Sequence, residues 1–159
     1  MIKVLFICHG NICRSPMAEF ILKDMVNNLG LSDQFEIASA ATSAEEIWNG
    51  IGNPVYPPAR TELAKHGINC EGKRAVQMKA SDYDKYDYLI GMDSMNIRNM
   101  ERITGHKKGD KIYKLLEFAG LEVDCRDPWY TSRFDETYRD VVTGCTAFFE
   151  CLQKEGKIC

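Results

Sequence analysis

The sequence carries little net charge of either sign. Its 20 basic and 23 acidic side chains leave −3. A domain that grips nucleic-acid backbones is normally clearly basic, so nucleic acid is set aside as a partner. Long apolar runs are also missing. None approaches the ~20 residues a membrane-spanning helix needs, so no membrane partner is expected. Met1 to Cys8 has an apolar stretch but no small-residue cleavage site, and it reads as a first strand rather than a signal peptide. Histidine is scarce (His9, His66, His106), and no Cys-x-x-Cys or His-x-x-x-His spacing suggests a metal site. The cysteines, at 8, 13, 70, 125, 145, 151 and 159, are odd in number and scattered. A disulfide framework is therefore not expected, and a reducing cytoplasm fits best. There is no internal repeat, low-complexity tract or linker. What is present is an ordinary globular balance, 45% hydrophobic and 27% charged over 159 residues. That predicts one domain, residues 1–159, with a real core.

Residues 2–7 form an apolar run interrupted only by Lys3, as in a central strand buried on both faces of a parallel sheet. Ser15-Pro16 reads as a helix start, with Ala18, Ile21, Leu22, Met25 and Leu29 at helical spacing and Gly30 as the stop. Residues 35–39 alternate as a second strand. From Ala40 to Pro58, glycine and proline predict mostly loop, of the kind that is usually functional or mobile. A helix over 59–66, a strand over 86–91, a helix over 94–102 that Asp93 can cap, and a strand over 111–116 follow. Residues 120–134 read as loop, and Tyr138, Val141, Val142, Cys145, Phe148, Phe149 and Leu152 mark one face of a last helix. The order predicts an α/β fold: an open four-stranded parallel sheet with helices on both faces, Rossmann-like, and a site at the C-terminal ends of the strands.

The first strand ends at Cys8, and the loop Cys8-His9-Gly10-Asn11-Ile12-Cys13-Arg14-Ser15 runs into a helix N-terminus. If this loop curls, its backbone N–H groups point inward and form an anion-binding nest, aided by the positive helix end. Gly10 and Asn11 tolerate the left-handed backbone such a curl uses. Arg14 adds a planar fork that holds two oxygens of a phosphate. The same field stabilises a thiolate at Cys8, which would face the bound phosphate as an in-line nucleophile. Ser15 is placed to donate a hydrogen bond to the sulfur. A Cys-x5-Arg spacing alone is weak. The apolar strand before it and the Arg-Ser-Pro helix start after it supply the specificity.

Cys8 to Pro16 resembles the signature of the low-molecular-weight protein tyrosine phosphatases. The resemblance runs over nearly the whole chain. Ser39-Ala40-Ala41-Thr42 is similar to the family's Ser-Ala-Gly-Thr segment, Met92-Asp93-Ser94-Met95-Asn96 to its Met-Asp-x-x-Asn, and Asp127-Pro128-Trp129-Tyr130 to its Asp-Pro-aromatic-aromatic. It implies hydrolysis of phosphotyrosine in proteins or peptides through a cysteinyl-phosphate, with no metal or cofactor and with inorganic phosphate or vanadate as inhibitors. A monomer is the expected state. It also implies that Cys8 is the nucleophile, Arg14 the phosphate clamp and Asp127 the general acid, a role its chemistry suits. The loop His9 to Ser15 would bind phosphate, with Asn11 and Ser15 organising loop and thiolate. Trp129, Tyr130 and Trp48 would wall the substrate pocket. Cys13 would be a redox partner, forming a reversible disulfide with Cys8. Asp93 reads as a helix cap and loop brace. The chain departs from the family at Tyr56-Pro57-Pro58, where Asp-Pro-Arg is usual. It departs again at Glu71-Gly72-Lys73, where many relatives carry a His that supports the loop, so that support must be built otherwise.

Other readings are weaker. A protein arginine phosphatase on the same scaffold tends to carry Thr at the place of Ile12 and to lack paired aromatics after the acid. An arsenate reductase needs two further cysteines close together, and residues 71–124 contain none. A phosphocarrier has no use for Arg14 or Asp127. A non-catalytic phosphate-binding module would not need both.

Overall fold

The computed structural model describes residues 1–158. Four strands form one parallel sheet: β1 (Ile2–Cys8), β2 (Phe35–Ala41), then β5 (Tyr88–Gly91) and β6 (Ile112–Lys114), in the order β2-β1-β5-β6. Strand β1 is central. It pairs along its length with β2, from Ile2 opposite Phe35 to Cys8 opposite Ala41, and with β5 from Val4 opposite Tyr88 to Ile7 opposite Gly91. Burial on both faces explains its apolar run from Val4 to Cys8. Val4, Phe6 and Cys8 join one core with helices α1 (Arg14–Asn28), α2 (Pro57–Lys65) and α6 (Phe134–Lys154). Leu5 and Ile7 join a second core, on the other face, with α3 (Asp82–Lys85) and α4 (Ser94–Thr104). On α6, Gly144 permits close packing: a Cβ there would stand 2.3 Å from Leu115 Cγ. The expected α/β architecture is the one observed.

Several boundaries differ from expectation. The stretch from Ala40 to Pro58 is mostly loop, as expected, but it is not without order. It contains a two-stranded hairpin, β3 (Ile47–Trp48) with β4 (Ile51–Gly52), closed by Asn49 (φ 52°) and Gly50 (φ 76°). Both central residues have positive φ, as the tight hairpin turns with matching twist require. Helix α2 starts two residues early, because Pro57 and Pro58 suit its first turn. Leu115 and Leu116 leave the expected strand for a 3-10 helix, Leu115–Ala119, that packs under α6. A continuous apolar run cannot distinguish these states. Within residues 120–134, a one-turn helix α5 (Pro128–Thr131) stands where loop was expected.

Candidate active site

Cys8 is the last residue of β1, and the loop to α1 curls beyond it. The turn is made at Asn11, whose φ is 59°. A short polar side chain lowers the cost of that conformation. Gly10 does not adopt positive φ, contrary to expectation. Its small size serves a close approach instead, since a Cβ there would lie 3.2 Å from Glu46 Cγ. The loop's carbonyls are turned outward onto neighbouring segments. Thr42 N–H donates to Cys8 C=O (3.0 Å), Ser43 N–H to His9 C=O (3.1 Å), Tyr56 N–H to Ile12 C=O (2.9 Å) and Met17 N–H to Cys13 C=O (3.0 Å). The N–H groups of Gly10, Ile12 and Cys13 have no acceptor among the described residues. Asn11 N–H donates to Cys8 Sγ at 3.3 Å. Outward carbonyls and free amides at a helix start make a nest for an anion.

Behind the loop, Asn11 and Ser15 are buried and do not line the cleft. Their side chains therefore brace the loop rather than touch a ligand. Asn11 Nδ2 donates to Ser15 Oγ (2.8 Å) and Ser39 Oγ (2.9 Å), while Asn11 Oδ1 accepts from Val76 N–H (3.1 Å). Ser15 Oγ lies 3.0 Å from Cys8 Sγ.

Arg14 opens α1 with its side chain only 3% exposed. Its Nη1 donates to Asp93 Oδ2 (2.7 Å) and to the carbonyl of Cys125 (3.1 Å), and its Nη2 faces Asp127 Oδ2 at 3.4 Å. Burial works against its charge, but Cys8, Asp93 and Asp127 more than offset this, and its pKa is raised. Asp93 also caps α4, accepting from Asn96 N–H at 2.7 Å. One carboxylate thus serves as helix cap and as clamp brace. Asp127 caps α5, its Oδ1 accepting from Trp129 N–H at 3.0 Å. Its other oxygen is left for Arg14 and the cleft.

These groups meet in a cleft of about 280 Å³ lined by Cys8, His9, Gly10, Ile12, Cys13, Arg14, Glu45, Glu46, Asp127, Trp129 and Tyr130. Trp129 is held by Tyr56, ring centroids 5.3 Å apart, and Tyr130 stands largely free in solvent. Trp48 is the exception among the expected walls. It is 78% exposed, paired across the hairpin with Ile51, and not among the lining residues. The turn at Asn49-Gly50 leaves it at the hairpin tip, and Glu45 and Glu46 reach the cleft from that segment in its place. Glu45 Oε2 lies 3.0 Å from His9 Nε2. Cys13 is buried beside Cys8, and burial first, then the neighbouring Cys8, pushes its thiol up.

Sequence reasoning missed Glu45, Glu46, Tyr56, the carbonyl of Cys125, and the Glu19–Lys73 pair described below. The Asn-Gly pair at 49–50 signalled the hairpin, and Asp127-Pro128 signalled a capped helix with Pro at its first position.

A cysteine on an anion nest, with a buried arginine and a carboxylate at one mouth, suits phosphoryl chemistry. Comparison with known proteins agrees. The family model for low molecular weight phosphotyrosine protein phosphatase matches residues 3–158. The low molecular weight protein-tyrosine-phosphatase YfkJ of Bacillus subtilis is 38% identical over 160 residues, 99% of this chain and 100% of that one. PtpA of Staphylococcus aureus, named likewise, is 34% identical over 99% of this chain and 98% of its own. The crystal structure of YfkJ matches with a TM-score of 0.90 over 98% of this chain and 96% of that one. SP-PTP, a low molecular weight protein tyrosine phosphatase from Streptococcus pyogenes, matches at 0.83 with 41% identity, over 96% and 93%. The chain belongs to the low molecular weight phosphotyrosine protein phosphatase family.

Proposed function

We propose that the chain hydrolyses phosphotyrosine in proteins by two in-line displacements at Cys8. In the first, the sulfur attacks phosphorus, the P–O bond to the tyrosyl ring breaks, and Asp127 protonates the departing oxygen. In the second, the Asp127 carboxylate takes a proton from water as that water attacks phosphorus. The P–S bond breaks, its electron pair returns to sulfur, and inorganic phosphate leaves. Arg14 and the loop amides hold the three phosphoryl oxygens throughout. The observation that carries this reading is that Cys8, Arg14 and Asp127 share one cleft whose loop amides are free.

The depth of the cradle below Trp129 and Tyr130 favours a phosphate carried on a ring over one held close to the backbone. Stacking adds only on the order of 0.5–1.5 kcal/mol per aromatic pair, so reach supplies most of the discrimination. The expected order in kcat/KM is phosphotyrosine, then phosphoarginine, then phosphoserine, with phosphate and vanadate as competitive inhibitors. Matched phosphopeptides with wild-type and Cys8→Ser protein test this. Substantial turnover by Cys8→Ser would refute the nucleophile, and faster turnover of phosphoarginine would move the chain to the arginine phosphatase reading.

Cys13 is the resolving thiol in this scheme. Peroxide converts the Cys8 thiolate to a sulfenic acid, and Cys13 sulfur displaces its hydroxyl to leave a Cys8–Cys13 disulfide and water. Because burial keeps the Cys13 thiol protonated, the protective disulfide should form faster as pH rises. Peptide mapping after mild peroxide reads this, and a sulfinic acid at Cys8 with Cys13 free at every pH would rule it out.

A further inference from the structure

Under the phosphate loop, away from the cleft, lies a carboxylate that the two displacements do not use. Glu19, on the second turn of α1, is 5% exposed. Ser39 Oγ donates to its Oε1 at 2.6 Å and Lys23 Nζ donates to its Oε2 at 2.6 Å. Lys73, from the segment between α2 and α3, places its Nζ 3.5 Å from Oε1 and donates to the Ser39 carbonyl at 2.9 Å. The Lys73 side chain is 12% exposed. Burying an ammonium there is costly unless it is paired, and burial does pull its pKa down against the opposing pull of Glu19. Lys23 on α1 and Cys8 on β1 are the other charged or titratable groups that face it.

With Cys8 as the thiolate nucleophile, a count of hydrogens fixes the direction of every bond in this network. Asn11 has two amide hydrogens, and both are used, on Ser15 and Ser39. Its orientation is set by Val76 N–H, which needs the oxygen. Each serine hydroxyl has one hydrogen. A carboxylate between two ammonium groups accepts, so Ser39 donates to Glu19. Ser15 already receives from Asn11, and its own hydrogen is left for its remaining neighbour, the sulfur of Cys8. We infer that Lys73 is a positioning residue for the reaction: with Glu19, Ser39 and Asn11 it holds the buried hydrogen-bond chain in the one polarity that aims the Ser15 hydroxyl at the sulfur. This rests on Cys8 being the nucleophile. Without Lys73, Glu19 keeps only the more exposed Lys23, and a proton taken up by the carboxylate would reverse the bond to Ser39 and loosen Asn11 and Ser15 in turn.

The chain ends on the charge that sulfur carries, not on the phosphate. Its loss should therefore lower kcat and leave phosphate binding alone. The test is p-nitrophenyl phosphate hydrolysis, with inorganic phosphate as inhibitor, by wild type, Lys73→Met, Lys73→Arg, Ser15→Ala, the Lys73→Met/Ser15→Ala double variant and Cys8→Ser. Lys73→Met should lose on the order of tenfold in kcat, as for one hydrogen bond to a charged group. Its phosphate inhibition constant should stay within about threefold, Lys73→Arg should recover most of the rate, and adding Lys73→Met to Ser15→Ala should change little. If Lys73→Met does not fold, Ser39→Ala cuts the same chain with a smaller change in volume and should behave alike. A kcat within about twofold of wild type, a loss that multiplies fully with that of Ser15→Ala, or a phosphate constant that worsens in step with kcat would each overturn the role of Lys73. Activity surviving in Cys8→Ser would instead overturn the nucleophile.

Discussion

Asp127 is asked to do two things with one carboxylate. Oδ1 caps α5 and Oδ2 faces Arg14, so a substitution must separate shape from proton transfer. Asn at this position keeps a cap of similar strength and removes the proton donor. Asp127→Asn should cost about 10²–10⁴-fold in kcat for phenyl phosphate, and far less for p-nitrophenyl phosphate, whose leaving group needs no proton. Equal losses on the two esters would mean that Asp127 only shapes the loop. At this scale the sequence is uneven evidence. Cys8 and Arg14 are legible because an apolar strand leads into their loop and an Arg-Ser-Pro helix start closes it, and Asp127 because Asp-Pro-aromatic-aromatic resembles the family's segment. Glu19 and Lys73 are not, since a glutamate on a helix and a lysine after a Gly look like solvated charges until burial is known. Trp48 misleads in the opposite sense: an aromatic in a Gly-rich stretch resembles a wall, and the hairpin turns it outward.

Among the elements, α4 shows how secondary structure and site share a residue. Its cap, Asp93, receives Asn96 N–H on one oxygen and Arg14 on the other. Asp93→Ala should lose both, with about 1 kcal/mol or more in stability from the cap alone. Asp93→Asn should retain most of that stability, yet weaken the hold on Arg14 and raise KM for phosphate esters. Thermal melts beside KM values separate the two effects. Stability and KM changing together in both variants would mean that the cap and the clamp are not separable. The order of strands and long helices was readable because each repeats one periodicity over many residues. The hairpin and α5 were not, because two-residue strands and one-turn helices carry no period. Their signals are dipeptides, Asn49-Gly50 and Asp127-Pro128. The early end of β6 was not readable because Leu115 and Leu116 are apolar whether they lie in a sheet or under α6.

For the molecule as a whole, the net charge of −3 is spread so that Glu45, Glu46 and Asp127 stand around a cleft whose one buried cation is Arg14. A phosphopeptide must approach past those carboxylates. Lys or Arg beside the phosphotyrosine should raise kcat/KM relative to Asp or Glu there, and the difference should shrink with added salt as screening sets in. Replacing Glu45 and Glu46 by Gln should flatten it, with p-nitrophenyl phosphate as the uncharged-flank control. A preference that survives the double replacement would place its origin elsewhere. The hairpin just beyond these glutamates pairs only with itself among the named strands. It is moored by Gly52 pressed against the Ala75 backbone and by the bridge from Pro54 to Arg74. The exposed tip, Trp48 and Ile51, can therefore be exchanged without touching the sheet, whereas Gly52 and Asn53 are tied through Ala75 to the Val76 N–H that orients Asn11. The arm is thus anchored at its root and open at its tip, so sequence can drift at Trp48 and Ile51 while a change at Gly52 would be felt in the floor of the cleft.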